Sequence, residues 1–338
     1  MFVAGWDGCV ALSRLEMMRI WATILTDIAH VIVCNAVRRI RRIISISNNI
    51  EEESASTFTN TTCLHPLTPL SVSTIINYET DDIITDSTLI SIIIPTYNES
   101  TNIRATISAA ITGGDTNIEV IIVDGGSTDG TCDVATDAGA HVVLSAPSLS
   151  PSGKTTRATC QNHGAQISKG KILLFLHADT ILPQNYTQAI RTAFLSNTAT
   201  LMTAFTLSLH PRILGIRLVE YGANLRSYYR QLPYGDQTLS IKRSIFFHLG
   251  QFPEQQLLED LDLVYTAKLR YCTSGNKDGR MMKIVTLPAC VESSSRRWMI
   301  HGVIGNTIRN QFVLFGHAIG VPLPKIASWY YTNGQKEY

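Results

Sequence analysis

Charged residues are scarce in this sequence, and their signs nearly cancel. They make up 16% of the 338 residues, and the formal net charge is +1 at pH 7. Proteins that bind nucleic acid as their main partner usually carry a marked basic excess that tracks the phosphates. The absence of such an excess predicts no nucleic-acid partner and favours small molecules. With 45% hydrophobic residues, the chain is long enough for one large α/β domain and an appendage.

Paired cysteines are also lacking. The seven cysteines are scattered, odd in number and contain no C-x-x-C pair. We interpret them as reduced thiols, which argues against a structural zinc site. They predict a reducing compartment, cytosol or organelle interior, rather than one that forms disulfides.

No uninterrupted apolar run of bilayer length occurs near the amino terminus. The segment 20–37 comes nearest, but Asp27 and two further polar residues interrupt it, and a central charge is costly in lipid. A basic cluster at 38–42 follows. Residues 1–88 are therefore predicted to be an N-terminal extension that is a targeting peptide, a membrane-surface helix or a poorly ordered tail. Residues 89–338 are predicted to form the main domain.

From Ile90 onward, predicted strands and helices alternate. Apolar, β-branched runs predict strands near 90–95, 119–124, 141–144 and 171–177. Stretches with helical spacing separate them, which predicts βαβ units in a Rossmann-like, mostly parallel sheet flanked by helices. A last apolar helix at about 303–319 suits packing or membrane-surface docking better than spanning.

The run from Glu119 to Thr131, EVIIVDGGSTDGT, leads from an apolar strand into an acidic, glycine-rich turn. Asp124 ends the strand and Asp129 follows in the turn. Ligands of open α/β sheets bind at the carboxyl ends of the strands, so these carboxylates are placed to hold ribose hydroxyls, a base edge or a cation. The alternative is an ordinary βα turn with Asp129 as a helix cap.

Two more predicted strands end in polar side chains. In SIIIPTYNES, Pro95 stops the strand, and Tyr97 and Glu99 follow it, so a base could stack on Tyr97. In KILLFLHADT, His177 and Asp179 are two residues apart and point to the same side, where both could approach one cation or one pyrophosphate. Taken singly, Glu99 would be a first-turn acid, and His177 with Asp179 a core histidine and a cap.

Three motifs of the second half carry further polar candidates. LPYGDQ contains a glycine turn that exposes Asp236 and Gln237, and LLEDLDL sets Glu259 and Asp260 at a predicted helix start. A carboxylate there stays ionised, which suits a general base but also a purely structural role. In the motif SSSRRW, Arg296 and Arg297 could clamp a phosphate, and Trp298 could cover a sugar or nucleotide. The alternative is an exposed basic turn with a packed indole.

The order of these strings resembles the family 2 glycosyltransferases, which have the nucleotide-sugar fold called GT-A. More narrowly, it is similar to a small, non-processive branch that shows VDGGSTDGT, FLHADT, PYGDQ, an E-D pair and RRW in this order. The resemblance covers about residues 90–330. It implies an inverting, nucleotide-sugar-dependent glycosyltransferase whose hydroxyl acceptor, a lipid, glycan, protein or metabolite, the sequence does not identify. Peripheral membrane contact is a further hypothesis.

The resemblance also implies roles for individual residues. Asp260 would be the base, and Asp179, with His177 less firmly, would hold a divalent cation, Mn²⁺ or Mg²⁺. Asp236, Gln237 and Glu259 would line the acceptor and donor pocket. Arg157 matches the branch in the run GKTTRATCQNHGA, although on an ordinary helix it would be a solvated cation. The residues placed toward the nucleotide and donor are Pro95, Tyr97, Glu99, Asp124, Asp129, Arg157, Arg296, Arg297 and Trp298.

The sequence departs from the family pattern at three positions. Gly125 stands where many relatives have a second aspartate, and His177 where many have the first acid of a D-x-D motif. Cys160 replaces an expected glutamine. A metal requirement is therefore less firmly implied than sugar-nucleotide binding.

Two other functions compete with the transferase. A non-catalytic sugar-nucleotide or glycan-binding protein on the same fold would not need Asp260 or the arginine pair. An NAD-dependent oxidoreductase would need G-x-G-x-x-G after the first strand, which instead ends in Pro95-Thr96-Tyr97.

Overall fold

The computed structural model describes residues 83–144, 155–273 and 281–331. Nearly all of the predicted N-terminal extension lies outside these residues, so its role and its boundary at residue 88 stay predictions. The chain divides into two compact units. The larger comprises Asp82–Asn310 and Pro322–Tyr338, and the described part of the other is Gln311–Val321. In the described ranges, no helix has the length and apolar character to cross a membrane.

Eight strands of the described chain form one sheet in the order β3-β2-β1-β4-β7-β6-β8-β5. Neighbours among β1, β2, β3 and β4 are parallel, as are β6 and β8, whereas β7 is antiparallel to both β4 and β6. The strands are β1 (Ile90–Thr96), β2 (Ile118–Asp124), β3 (His141–Leu144), β4 (Ile172–Phe175), β5 (Thr180–Ile181), β6 (Thr200–His210), β7 (Leu239–Lys242) and β8 (Lys283–Ser294).

Helices connect and flank these strands. A short 3-10 turn at Gly235–Gln237 precedes β7. A π-helical turn at Lys268–Cys272 directly continues the helix Glu259–Ala267. The helices are α1 (Ile103–Gly113), α2 (Thr131–Asp137), α3 (Arg157–Ile167), α4 (Tyr186–Ser196), α5 (Ile216–Arg230), α6 (Arg243–Leu249), α7 (Glu259–Ala267), α8 (Arg296–His301), α9 (Val303–Ala318) and α10 (Leu323–Tyr330).

Strand β1 is buried along its whole length because helices cover both of its faces. Ile92 and Ile94 point to one face and join the main hydrophobic core, while Ile93 points to the other, under α3. This alternation is the period of two expected of a strand. Helix α3 lies so close that a Cβ on Gly164 would stand 2.5 Å from Cγ2 of Ile93. A glycine is therefore needed at this crossing.

The parallel half of the sheet brings three strand ends to one edge. Thr96 at the end of β1 is in register with Asp124 at the end of β2, and β4 on the other side of β1 ends just before His177. The predicted Rossmann-like, mostly parallel sheet is confirmed by this arrangement. The antiparallel β7 next to β4 starts a second half, which carries the other candidate residues to the same edge.

Candidate active site

The loops after β1 and β2 are joined by hydrogen bonds. The amide of Asn98 donates to Oγ of Ser127 at 2.8 Å, and the amide of Thr128 donates to Oδ1 of Asn98 at 2.9 Å. Asn98 has a φ of 53°, a left-handed conformation that asparagine tolerates better than most residues. The two loops therefore form one continuous rim at the edge of the sheet.

Asp124 shapes the turn that follows β2. Its carboxylate is fully buried and accepts hydrogen bonds from Oγ1 of Thr96 at 3.0 Å and from the amides of Gly126 and Ser127 at 2.8 and 2.7 Å. It is not among the residues that line the cleft described below. Its predicted contact with a nucleotide stays a prediction, and the contacts present are those of the structural alternative.

Asp129 joins the same rim. Its carboxylate accepts hydrogen bonds from the amides of Ser100 at 3.0 Å and Thr131 at 3.1 Å. Burial raises the pKa of Asp129, but the hydrogen bonds from Thr131 and Ser100 outweigh it and lower that pKa to about 2. The group is thus an anion at neutral pH that holds the two loops together, at the start of α2.

A cleft opens beside this rim, and its cavity volume is about 120 Å³. This volume is smaller than the roughly 300–1,000 Å³ of typical small-molecule sites, so the cleft is a narrow one. Most of the residues predicted from the motifs line it: Pro95, Tyr97, Glu99, Arg157, His177, Asp179, Asp236, Arg296, Arg297 and Trp298. The remaining lining residues are Ala178, Leu209, Ser293 and Ser294.

Two carboxylates meet one arginine in the cleft. Nη2 of Arg296 lies 2.8 Å from Oε1 of Glu99 and 3.8 Å from Oδ2 of Asp179. Burial raises the pKa of Asp179, the charge of Glu99 raises it further, and the charges of Arg296 and Arg297 oppose this. The negative charge gathered here favours the binding of a cation.

His177 lies beside the turn at Gly235. Its Nε2 is 2.9 Å from the position that a Cβ on Gly235 would take, so a side chain there would collide with the ring. Burial lowers the pKa of His177 well below its usual value, and the charges of Arg157 and Arg297 lower it further. The imidazole is therefore neutral at pH 7.

Arg157, at the start of α3, forms an ion pair with Glu259 at the start of α7. Glu259 is 1% exposed and does not line the cleft, whereas Arg157 does. Burial raises the pKa of Glu259 and so does the charge of Asp260, while Arg157 lowers it. The pair fixes one guanidinium at the wall of the cleft and ties α7 to the parallel half of the sheet.

Asp260 and Asp236 differ in what they contact. Both oxygens of Asp260 accept backbone hydrogen bonds, Oδ2 from Gly235 at 2.6 Å and Oδ1 from Leu261 at 2.8 Å. Oδ1 of Asp236 is buried and has no hydrogen-bond partner among the described residues, and Asp236 lines the cleft. Burial raises the pKa of Asp236 to about 6 against the opposing charge of Arg226, and the charge of Asp260 raises it as well.

Gln237 is not brought to the cleft. Its side chain is fully buried, and Nε2 donates to the carbonyl of Phe205 at 3.0 Å. Consecutive residues of the tight turn point in different directions, so Asp236 faces the cleft while Gln237 supports β6. The predicted pocket role of Gln237 has no counterpart in its contacts.

The motif SSSRRW forms the end of β8 and the start of α8. Arg297 donates to the hydroxyl of Tyr330 at 3.0 Å, and Trp298 packs against the main core with its Nε1 buried and unpartnered among the described residues. Ser293 and Ser294 of the same run line the cleft, although the motif predicts no role for them. Their position in the quoted motif was the one available signal.

The described residues contain no cluster of three or more His, Cys, Asp or Glu side chains arranged to bind a metal. Mg²⁺, however, is commonly held by one or two carboxylates, with substrate phosphates and water as the other ligands. Asp179, with Glu99 nearby, fits that type of site. The residues present are thus compatible with a cation that binds together with a phosphorylated ligand.

Part of the chain is similar in sequence to known glycosyltransferases. A model of the glycosyl transferase family 2 matches residues 91–208. Glycosyltransferase AglJ of Haloferax volcanii is 45% identical over 74 residues, which are 22% of this chain and 23% of that protein. The match thus spans about a quarter of that relative's length.

Solved structures provide a likeness in fold. Glucosyl-3-phosphoglycerate synthase from Mycobacterium tuberculosis, in complex with Mn²⁺, UDP and phosphoglyceric acid, is 18% identical with a TM-score of 0.50, over 70% of this chain and 80% of that one. A mannosyltransferase from Pyrobaculum calidifontis in complex with GDP-Man and Mn²⁺ is also 18% identical, with a TM-score of 0.48, over 74% and 72% of the two chains. The likeness to the mycobacterial enzyme confirms the GT-A fold, and residues 91–208 are the part of this chain that the model of glycosyl transferase family 2 matches.

Proposed function

We propose that the protein is an inverting glycosyltransferase that moves a sugar from a nucleotide-sugar donor to a hydroxyl acceptor. The observation that carries the proposal is the cleft at the carboxyl ends of the strands. There, the rim, which lies within the segment that the family 2 model matches, meets Asp236 and Arg297 of the second half. A binding surface, a cation site and a proton acceptor are thus combined in one cavity.

We place the nucleotide-sugar donor along the rim. Tyr97 lines the cleft beside the two joined loops and offers an aromatic face to a base. Three guanidinium groups, those of Arg157, Arg296 and Arg297, line the same cavity, and guanidinium forks match phosphate oxygens well. We therefore place the nucleoside at Tyr97 and the diphosphate toward the arginines.

Asp179 would hold the divalent cation, with Glu99 adding negative charge beside it. When bound, a cation there would neutralise charge on the departing diphosphate. Mn²⁺ is present in the complex of the mycobacterial enzyme with UDP and phosphoglyceric acid, so it is the first ion to test. His177, neutral and placed against Gly235, is the less direct candidate ligand.

We infer that the proton acceptor is Asp236 and that Asp260 positions it. Asp260, the base implied by the motifs, already accepts two backbone hydrogen bonds, one from the amide of Gly235 next to Asp236. Asp236 carries the buried oxygen without a partner and faces the cleft. A general base must reach the proton that it takes, and Asp236 meets that requirement more directly.

The reaction is then a single displacement. The acceptor hydroxyl gives its proton to the carboxylate of Asp236 as its oxygen forms a bond to the anomeric carbon. On the opposite face, the bond from that carbon to the diphosphate oxygen breaks, and the nucleoside diphosphate leaves with the electron pair. Arg296 and Arg297 stabilise the charge that develops on the leaving group. Attack from the opposite face inverts the anomeric configuration.

A non-catalytic binding protein on the same fold remains the second candidate. It would bind the nucleotide sugar through Tyr97 and Asp179 but would release no nucleoside diphosphate. The unpartnered carboxylate of Asp236 favours the enzyme, because binding alone does not require a buried anion without a hydrogen-bond partner.

A screen of UDP- and GDP-sugars with and without Mn²⁺ tests the proposal. Binding of a donor to the folded protein should raise its melting temperature by mass action, and release of nucleoside diphosphate should follow. Asp179→Asn should weaken the Mn²⁺-dependent part of both signals by at least about tenfold. Asp137→Asn, an exposed aspartate on α2, is the matched control and should change neither.

The outcomes separate the two functions. Donor binding with no turnover in any tested acceptor mixture, and no hydrolysis, would support the binding protein. If no nucleotide sugar shifts the melting temperature and Asp179→Asn changes nothing, both functions fail.

A further inference from the structure

An apolar face lies on the surface of the larger unit and consists of side chains that do not line the cleft. We define it by Leu214, Met299, Ile300, Ile304 and Ile308. Leu214 is 98% exposed, and the others are 51–60% exposed. Large side chains that are exposed together in this way usually mark an interaction site.

The members of the apolar face come from two segments that lie side by side. Ser295 donates to the carbonyls of His210 and Pro211 at 2.7 Å each, through its amide and its hydroxyl. A Cβ on Gly215 would lie 3.6 Å from Cγ1 of Val303. Leu214 at the tip of the 211–215 loop is therefore next to the start of α9, where Ile304 and Ile308 are one helical turn apart.

The charges around the apolar face are mostly basic. Among the described residues after Glu292 there is no acidic side chain, whereas Arg309 lies on α9 and Lys325 on α10. On the neighbouring loop and helix, Arg212 and Arg217 are exposed, and the nearby acid Glu220 is paired with Arg212. The exposed acid at this edge, Glu292, lies 4.0 Å from His210.

We propose that the apolar face docks on the surface of an anionic lipid bilayer. Apolar side chains beside a mostly cationic border match the two layers of such a surface, the acyl boundary and the negative headgroups. Leu214 and Ile304 enter the acyl boundary, and Arg217 and Arg309 contact the headgroups. Trp329, 46% exposed and paired with Lys325 on α10, has the composition of an interfacial anchor. The inference does not depend on the proposed function.

Sedimentation of the full chain with vesicles tests the proposal. Binding to phosphatidylcholine vesicles that contain phosphatidylglycerol should exceed binding to pure phosphatidylcholine and should fall with added salt. The variant with Leu214→Ser and Ile304→Ser should lose at least about tenfold in partition. Tyr229→Ser is the matched control, because Tyr229 is 74% exposed at the far end of α5, about 20 Å from Leu214.

Circular dichroism and melting temperature verify that each variant is folded. Equal partition of the wild type and the Leu214/Ile304 variant overturns the proposal. So does an absence of wild-type binding to both kinds of vesicle. If wild-type binding is absent and the double variant also melts several degrees lower, the face is covered by another part of the chain, which likewise overturns it.

Discussion

At the scale of single residues, Asp236 gives the sharpest prediction. Its raised pKa of about 6 means that kcat/KM of the wild type should increase with pH through about 6 and then level off. Asp236→Asn should lower kcat by roughly 10²–10⁴-fold, because an amide cannot accept the proton, and should remove that dependence on pH. Asp260→Asn should lower kcat but keep the rising limb, since Asp260 acts by holding Gly235.

The measurement is the pH profile of nucleoside diphosphate release for the three proteins. Asp137→Asn, exposed and outside the cleft, should reproduce the wild-type profile. If Asp260→Asn removes the limb near pH 6 and Asp236→Asn keeps it, the assignment made from the motifs is the right one.

The sequence best predicted those cleft residues that follow the end of a strand. Tyr97 and Asp179 were expected at the cleft because parallel strands bring their carboxyl ends to one edge, and both line it. Gln237 and Asp124 were expected there as well, yet their side chains point into the protein. Motif letters identify a turn, but the direction of each side chain depends on local torsion angles that the letters do not specify.

At the scale of elements, Gly164 sets how closely α3 lies on β1. Gly164→Ala should destabilise the protein by about 1–3 kcal/mol, because its Cβ would stand 2.5 Å from Cγ2 of Ile93 and 3.2 Å from Cγ2 of Val123. Gly222→Ala in α5 is the control. It meets no atom within 4 Å and should stabilise the helix by up to about 1 kcal/mol.

Urea unfolding of the two variants gives both free energies. If Gly222→Ala loses stability as Gly164→Ala does, the contact with Ile93 is not the cause of the loss. An unchanged or increased stability of Gly164→Ala would show that α3 can move away from the sheet.

Strand β8 shows why part of the second half was missed. The early strands β1 and β2 are built around short apolar runs, residues 92–94 and 120–123, and each was predicted within one residue of its ends. In β8, Pro288 interrupts the run, and the pairing with β6 shifts register between Phe205 and Thr206. A proline lacks the N–H that a strand ladder needs, so the sequence pattern there is not that of a regular strand. The serines that β8 places in the cleft were missed with it.

At the scale of the whole molecule, the sheet joins a parallel half, β1 to β4, to a half built on β6, β7 and β8. The parallel half carries the family 2 match and the proposed donor rim, and its folding could be inferred from βαβ alternation. The half built on β6, β7 and β8 supplies Asp236 and Arg297, which no local periodicity connects to the first half. Only the order of the motifs indicated that these residues meet the strand ends of the parallel half.

The unfolding free energy of the whole molecule should depend on pH through the site. Asp236 has a pKa of about 6 when folded against 3.8 as a model carboxyl. Its folded state therefore holds a proton more tightly, and stability is lost as pH rises from about 4 through 6. Asp129 has the opposite shift, with a folded pKa of about 2, so its contribution changes only below about pH 4.

The substitution Asp236→Asn removes the pH dependence of stability that Asp236 causes and leaves the one that Asp129 causes. Relative to the wild type, the variant should gain roughly 2–3 kcal/mol between pH 4 and pH 7, because the wild type alone must bury a charge at neutral pH. Urea unfolding of both proteins at the two pH values measures that difference, and effects of other carboxyls cancel in it. A difference that is the same at pH 4 and pH 7 would mean that Asp236 ionises in the folded protein as it does in water. In that case the folded protein would give up no stability through Asp236 at neutral pH, and a limb near pH 6 in the kcat/KM profile would have to come from another group.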